Sequence, residues 1–199
     1  MKIKNSILAT TILLILLSAL AQAQDGTMTV EGKITDGTCT VLGAAEVGGT
    51  PSTNTTIRLP KVSTAVQSLA GNGMRSTEEG RFNIYLKGCK ATAAQKNVAV
   101  SFSSANVFSS NTSYYSGEAL LNTAINGAEG LGILINMYNA NDGYYWDRQF
   151  FDNRGTPTPI PLTDDSQDIT LKYTASYVKL GNVTAGRIST SAYYEIKYF

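Results

Sequence analysis

The sequence predicts an all-β fold built as a sandwich of two sheets. Segments in which apolar and polar residues alternate recur from Thr27 to the final residue, Phe199. A period of two is the mark of a strand with one face buried. Turn-rich stretches such as Gly48–Ser52 and Gly155–Pro159 separate these segments. Charged residues make up 16% of the chain, while Gly, Ser, Thr, Asn and Tyr abound. That composition suits strands and turns better than helices, and many short strands divided by turns read as a sandwich.

The first 23 residues read as a secretory signal peptide. Lys2 and Lys4 give a short basic start, and Ile7–Leu17 form an apolar run broken only by Thr10 and Thr11. Ala21 and Ala23 fit the small-residue pocket of a signal peptidase, which places the cut after Ala23. The apolar run is short for a membrane span and no basic stop follows it. Export changes the meaning of the two cysteines. In an oxidising compartment Cys39 and Cys89 are expected to form one disulfide. Closing a loop of about 50 residues contributes roughly 4 kcal/mol on the chain-entropy model.

The mature chain then offers its strands in order. Thr27–Ile34 places Met28, Val30, Gly32 and Ile34 on one face. Thr56–Pro60 is a short strand that Pro60 breaks or pushes to a sheet edge. Ser63–Leu69 could form one turn of helix. Arg81–Lys87, Asn97–Phe102 and Leu131–Met137 alternate, and Ile169–Val178 and Ser191–Phe199 are two longer strands. The alternation reaches both extremities of the mature chain. Ends usually fray, so this pattern suggests that each is tied down. No repeat or low-complexity linker interrupts the chain, which predicts one domain.

The chain carries 16 basic and 15 acidic residues and no histidine. Near-neutrality provides no electrostatic footprint for nucleic acid. The lack of histidine removes His-based triads and His metal ligands. Two cysteines are too few for a Cys-only zinc site. No glycine-rich phosphate loop is present, and Asp164–Asp165 sit in a turn-rich loop that reads as solvated. The sequence therefore predicts no catalytic residue, no metal site, no cofactor and no enzyme.

Four local patterns resemble one known family. Asp25–Val41 holds an alternating extension, a glycine, apolar positions, then Cys39 and Val41. Phe82–Cys89 is a strand leading into the second cysteine. Leu171–Val178 is followed by Val183-Thr184-Ala185-Gly186. Tyr194–Phe199 ends the chain with Tyr194, Ile196 and Tyr198 on alternate positions. In this order they resemble the chaperone–usher pilins, the subunits of bacterial fimbriae, over the whole mature chain.

The resemblance implies an incomplete immunoglobulin-like sandwich lacking its last strand. It divides the chain into a signal peptide (1–23), an N-terminal donor-strand extension (24–36) and a pilin domain (37–199). It further implies that Met28, Val30, Gly32 and Ile34 form the donor face, and that Tyr194, Ile196, Tyr198 and Phe199 line the receiving groove. A periplasmic chaperone would fill that groove first and hold the Phe199 carboxylate with basic residues. An outer-membrane usher and neighbouring pilin subunits would follow, taking the chain through the periplasm to a cell-surface fimbrium that supports adhesion. A host receptor would be met through a tip adhesin. On the residues alone, Met28, Val30 and Ile34 could equally form an ordinary first strand packed on its own domain.

A second reading of the chain is a tip adhesin or sugar-binding module. It would use the segment 139–161, where Tyr144, Tyr145, Trp146, Phe150 and Phe151 lie beside Asp142, Asp147 and Arg148. Aromatic rings stack on sugars. The plainer expectation is a hairpin whose rings pack on a sheet or on a neighbour. The adhesin reading is also disfavoured because the chain is short for two domains and carries the extension.

Overall fold

The computed structural model describes residues 24–33, 38–65, 69, 71–73, 75–111, 115–138, 147–151 and 154–199, with main chain only at Gln24, Asp25, Lys33, Asp147 and Arg148. Two sheets face each other across one apolar core. The strands are β1 (Gln24–Lys33), β2 (Thr40–Glu46), β3 (Asn54–Val62), β4 (Arg75–Cys89), β5 (Asn97–Ser103), β6 (Ala119–Leu121), β7 (Leu131–Met137), β8 (Asp147–Arg148), β9 (Ile160–Pro161), β10 (Gln167–Lys179) and β11 (Ile188–Tyr198). The first sheet runs β3-β1-β11-β5-β9. The second runs β2-β4-β10-β7-β6, with β8 added beside β7. All strand pairs are antiparallel except β1 with β11.

The core follows from the alternation. Ile57 and Leu59 of β3, Phe82, Ile84 and Leu86 of β4, Val98, Val100 and Phe102 of β5, and Leu171, Tyr173, Ala175 and Tyr177 of β10 all point between the sheets. Tyr173 sits at the centre, stacked on Phe82 with ring centroids 5.3 Å apart and edge-on to Phe102 at 5.4 Å. Such aromatic pairs contribute about 0.5–1.5 kcal/mol beyond their buried area.

Several elements depart from the sequence reading for identifiable reasons. Pro60 does not end its strand. β3 continues to Val62, and its partner β1 shifts register between Gln24 and Gly26, opposite Pro60 and Lys61. An edge strand tolerates proline because one side of its ladder has no partner, and β3 is at the edge. β7 alternates in sequence but every residue of it is buried. Its outward Leu134, with Ala119 and Val178, lies under Phe108, Tyr115 and Leu180. The chain between β5 and β7 thus covers the second sheet's outer face. Thr64 and Ala65 form a turn and Leu69 is buried; the rest of the expected helical turn, 66–68, lies outside the described residues. So do residues 1–23, the expected signal peptide. The short strands β2, β6, β8 and β9 were not anticipated. Each is set by the strand it joins more than by its own pattern.

Cys39 and Cys89 form a disulfide across a sequence separation of 50 residues. It joins the start of β2 to the end of β4, where Thr40 pairs with Lys87. Replacing both cysteines by serine should lower the unfolding free energy by about 2–5 kcal/mol. Denaturant titration of the oxidised wild type against the double variant measures the loss. Equal midpoints would show that the bridge constrains nothing the sheets do not already fix.

Candidate functional site

Strands β3 and β11 face each other across a gap one strand wide, and β1 occupies it. β1 is antiparallel to β3 from Gly26↔Leu59 to Glu31↔Asn54, and parallel to β11 from Gly26↔Ile188 to Lys33↔Glu195. Without β1, β3 would lose its one partner in the first sheet, and β11 would keep only β5. Without β1 the described residues from Thr38 onward form a sandwich with a gap one strand wide, the kind of incomplete sandwich that the resemblance implies. The extension completes it within the same chain.

The inward face of β1 is Gly26, Met28, Val30 and Gly32. Met28 and Val30 are fully buried, and burial of such side chains contributes roughly 1.5–3 kcal/mol each. Across the ladder Met28 meets Thr190 and Ile57, and Val30 meets Ala192 and Thr55. The wall formed by β11 is thus narrow-chained where the strand is bulky. At both ends the relation inverts. A Cβ at Gly26 would collide with the Tyr177 hydroxyl, and one at Gly32 with the ring and hydroxyl of Tyr194. These glycines serve close approach, in which each tyrosine takes up the space a side chain would have filled.

Local structure aims both tyrosines. Tyr194 is directly registered with Gly32 and, on its other side, with Phe102 of β5. Tyr177 comes from the facing sheet. It sits where β10 and β4 shift register between Ser176 and Val178, and a bulge there re-aims a side chain. The Tyr177 N–H, displaced from the ladder, donates to Ser76 Oγ at 3.1 Å, and Ser76 Oγ donates to the Glu78 carbonyl at 2.7 Å. Burial pushes the Tyr194 hydroxyl up to about 12 from 10.0. Tyr173 and Tyr198 are raised for the same reason.

The expected site residues are thus partly brought together. Met28, Val30, Gly32 and Tyr194 meet in one place. Ile196 and Tyr198 continue the same face of β11, but they lie past the last described pair of β1, Lys33↔Glu195. Ile196 is a fully buried core residue. Ile34 lies outside the described residues. Phe199 is half exposed. Its main-chain oxygen accepts from the N–H groups of Lys96 and Asn97 at 2.8 Å each, so β5 holds the end of β11. The sequence reading missed Gly26, Tyr177, Ile57 and Leu59. Gly26 carried a signal, since it falls on the same alternate positions as Met28. Tyr177 did not, because its role depends on contact between sheets.

In the aromatic segment, Asp142, Tyr144, Tyr145 and Trp146 lie outside the described residues. Phe151 is fully buried with its ring 6.3 Å from that of Phe102. Phe150 is part exposed and lies over Gly155. β8 pairs with the end of β7. Of the described rings, Phe151 follows the plainer expectation of packing on a sheet, and Phe150 does not. Asp164 and Asp165 are exposed, as expected of a solvated turn.

An immunoglobulin-like sandwich with one inter-strand disulfide and a gap filled by an N-terminal strand defines a pilin-type domain. Comparison with known proteins agrees. The family model described as fimbrial protein matches residues 27–199. The F17 fimbrial protein of Escherichia coli is 33% identical over 183 residues, with 91% of this chain and 91% of that protein aligned. The minor fimbrial subunit HifD of Haemophilus influenzae is 29% identical over 184 residues, with 89% of this chain and 76% of its own length aligned. Among solved structures, the CupB6 tip adhesin from Pseudomonas aeruginosa aligns at 24% identity and a TM-score of 0.42, over 65% of this chain and 37% of that one. The chain belongs to the fimbrial protein family and is a fimbrial subunit.

Two outcomes are expected from this geometry. Gly32→Val should lower stability by about 1–3 kcal/mol through overpacking, and adding Tyr194→Leu should recover part of the loss. Thermal melting of the single and double variants decides it; a double variant no better than Gly32→Val would separate the two residues. Alkali should also weaken the fold. The folded chain holds the Tyr194 proton more tightly than the unfolded chain does. Stability is therefore complete below about pH 10 and falls as the pH rises toward 12. In an alkaline titration followed by circular dichroism, Tyr194→Phe should show a shallower decline than the wild type. Equal slopes would remove Tyr194 as a cause.

Proposed function

We propose that this subunit polymerises by donor-strand exchange, with residues 24–36 of one copy supplying the strand that fills the β3–β11 groove of the next. The observation that carries this reading is the separability of β1. It is a complete strand at one end of the domain, seated between two strands that are not otherwise paired to each other. Its removal exposes a groove walled by Ile57, Leu59, Tyr177, Ala192 and Tyr194, all buried by the folded chain. Strand addition suits such a gap. The backbone ladder supplies affinity and alternate side chains supply register.

An open groove of this kind is an aggregation hazard for a lone subunit. The same reading therefore assigns a periplasmic chaperone that fills it after export, and an outer-membrane usher at which neighbouring subunits replace the chaperone. The product is a cell-surface fimbrium that supports adhesion, with any host receptor met through a tip adhesin. Gly32 admits the strand at the Tyr194 end, and Met28 and Val30 anchor it.

The test is Val30→Asp. A carboxylate in this apolar site has no cation to pair with among the described residues around it, and an unpaired buried charge costs several kcal/mol. The variant should be exported yet form no SDS-resistant ladder, and filaments should be absent by electron microscopy. Chaperone co-purification reports whether the acceptor groove survives. Normal ladders from Val30→Asp would reject the donor role of this strand.

A further inference from the structure

The outer face of the second sheet carries a cleft of about 430 Å³, away from the sheet that holds β1. This is within the size range of small-ligand sites. Its floor comes from the two central strands. Arg81 pairs across the ladder with Thr174, and Asn83 with Lys172. Phe82 and Tyr173, which lie between them in sequence, belong to the core. Alternation therefore puts the other four side chains together on the outer face. The walls come from flanking strands that stop short. β2 ends at Glu46 and β7 at Met137. Just beyond, the Val47 N–H donates to the Arg81 carbonyl at 3.2 Å, and the Tyr138 N–H donates to the Lys172 carbonyl at 2.7 Å. Val47 and Tyr138 thus stand on opposite sides of the cleft, and both are exposed.

The lining calls for a ligand that is negatively charged, carries hydroxyl groups and has an apolar face. Arg81 and Lys172 occupy diagonal places, which lie about 7–8 Å apart on a sheet face, so a carboxylate fits between them. Glu79 accepts from the Arg81 Nε at 3.0 Å. That contact steadies the guanidinium and leaves its terminal nitrogens for a second acceptor. Among the described residues no carboxylate pairs with Lys172, whose Nζ lies over the Tyr138 ring, 5.9 Å from its centroid. The floor adds an unusual feature. Thr174 is 1% exposed, it lines the cleft, and its hydroxyl has no hydrogen-bond partner among the described residues. The side-chain nitrogen of Asn136, its neighbour on β7, is unpaired too. Buried polar groups are nearly always paired, so two adjacent exceptions point to a ligand that supplies the partner. Asn83 donates to the Tyr85 hydroxyl at 2.9 Å, which holds its amide in place.

We propose that this cleft binds a carboxylate-bearing sugar, a hexuronate unit of an acidic glycan. The carboxylate lies between Arg81 and Lys172 in charge-assisted hydrogen bonds. Ring hydroxyls, each both donor and acceptor, meet Asn83 and Thr174. The apolar face of the sugar ring packs against Val47 and Tyr138. A simple anion would use the two cations and leave Thr174 and Tyr138 without a role. An acidic peptide would bring the charge on a flexible side chain, with no ring of hydroxyls for the buried floor. The site is independent of donor-strand exchange, because it shares no residue with β1, β3 or β11.

Nuclear magnetic resonance titration of the purified, isotope-labelled chain tests this with four probes: glucuronate, glucose, sulfate and a glutamate-rich peptide. Glucuronate should shift the amide signals of Asn83, Tyr138, Lys172 and Thr174 and should bind more tightly than the other three. Lys172→Gln and Arg81→Gln should each weaken glucuronate by about tenfold or more, as expected for hydrogen bonds to a charged group. Thr174→Val guards against a merely structural effect. It removes a buried hydroxyl that is unpaired in the free chain, so the melting temperature should hold or rise while glucuronate binding weakens. A Thr174→Val chain that melts lower and binds glucuronate as before would overturn the role of the floor. Glucose or sulfate binding as tightly as glucuronate would overturn the acidic-sugar assignment. So would tighter binding of the peptide, which would give the cleft to an acidic protein partner. Glucuronate shifts confined to other residues, or none at all, would overturn the site. None of these results bears on the Val30→Asp ladders, so the two readings stand or fall separately.

Discussion

A one-strand gap between β3 and β11 is the constraint on which the rest of the structure depends. Both strands present main-chain donors and acceptors toward that gap, and buried groups of this kind must be paired. Both also turn apolar side chains toward a core that the gap would open. A strand is the one element that answers the two demands together, because it satisfies both walls with its backbone and closes the core with alternate side chains. β1 does this with only two large residues. The disulfide, the aromatic centre around Tyr173 and the loop covering β7 hold the remainder of the domain together around the gap.

Much of this was legible in the sequence, though unevenly. The alternation at Asn97–Phe102, Leu131–Met137, Ile169–Val178 and Ser191–Phe199 located four strands, because side-chain period is local information. Met28 and Val30 were placed on one inward face for the same reason, and Cys39 with Cys89 followed from export and an even count. What the period cannot say is which sheet a strand joins, or whose. Thr27–Ile34 reads the same whether it pairs in its own chain or in a neighbour's, and the structure seats its described part in its own. Tyr177 illustrates a second limit. Its place under Gly26 comes from extra residues on β4, where Ser76–Glu78 stand against Tyr177 alone, and from the facing sheet, neither of which leaves a trace in residues 171–178. β8 and β9, two residues each, are strands only because β7 and β5 offer them an edge.

Pro60 shows how the same residue carries opposite meanings. In a central strand it would remove a ladder bond. On β3 the strand continues through it, with an extra residue where two β3 positions, Pro60 and Lys61, stand against one of β1. The edge position that makes proline harmless also leaves the far side of β3 without a ladder partner in its sheet. The proline there works against uncontrolled pairing, and the ladder with β1 resumes regularly at Leu59↔Gly26. A subunit built to accept one strand at one place benefits from an outer edge that is a poor template.

The sparseness of β1's anchors has its own logic. Four large residues in a row on the inward face would bury more area, but such a face tolerates slippage by two residues, since every position resembles the next. Glycines at both ends remove that freedom. A shift of two in either direction drives Met28 or Val30 into a tyrosine and leaves a void at the opposite end, so overpacking and cavity penalties act together. Register is therefore set by where the strand must be thin as much as by where it must be thick. The groove thus selects position strictly.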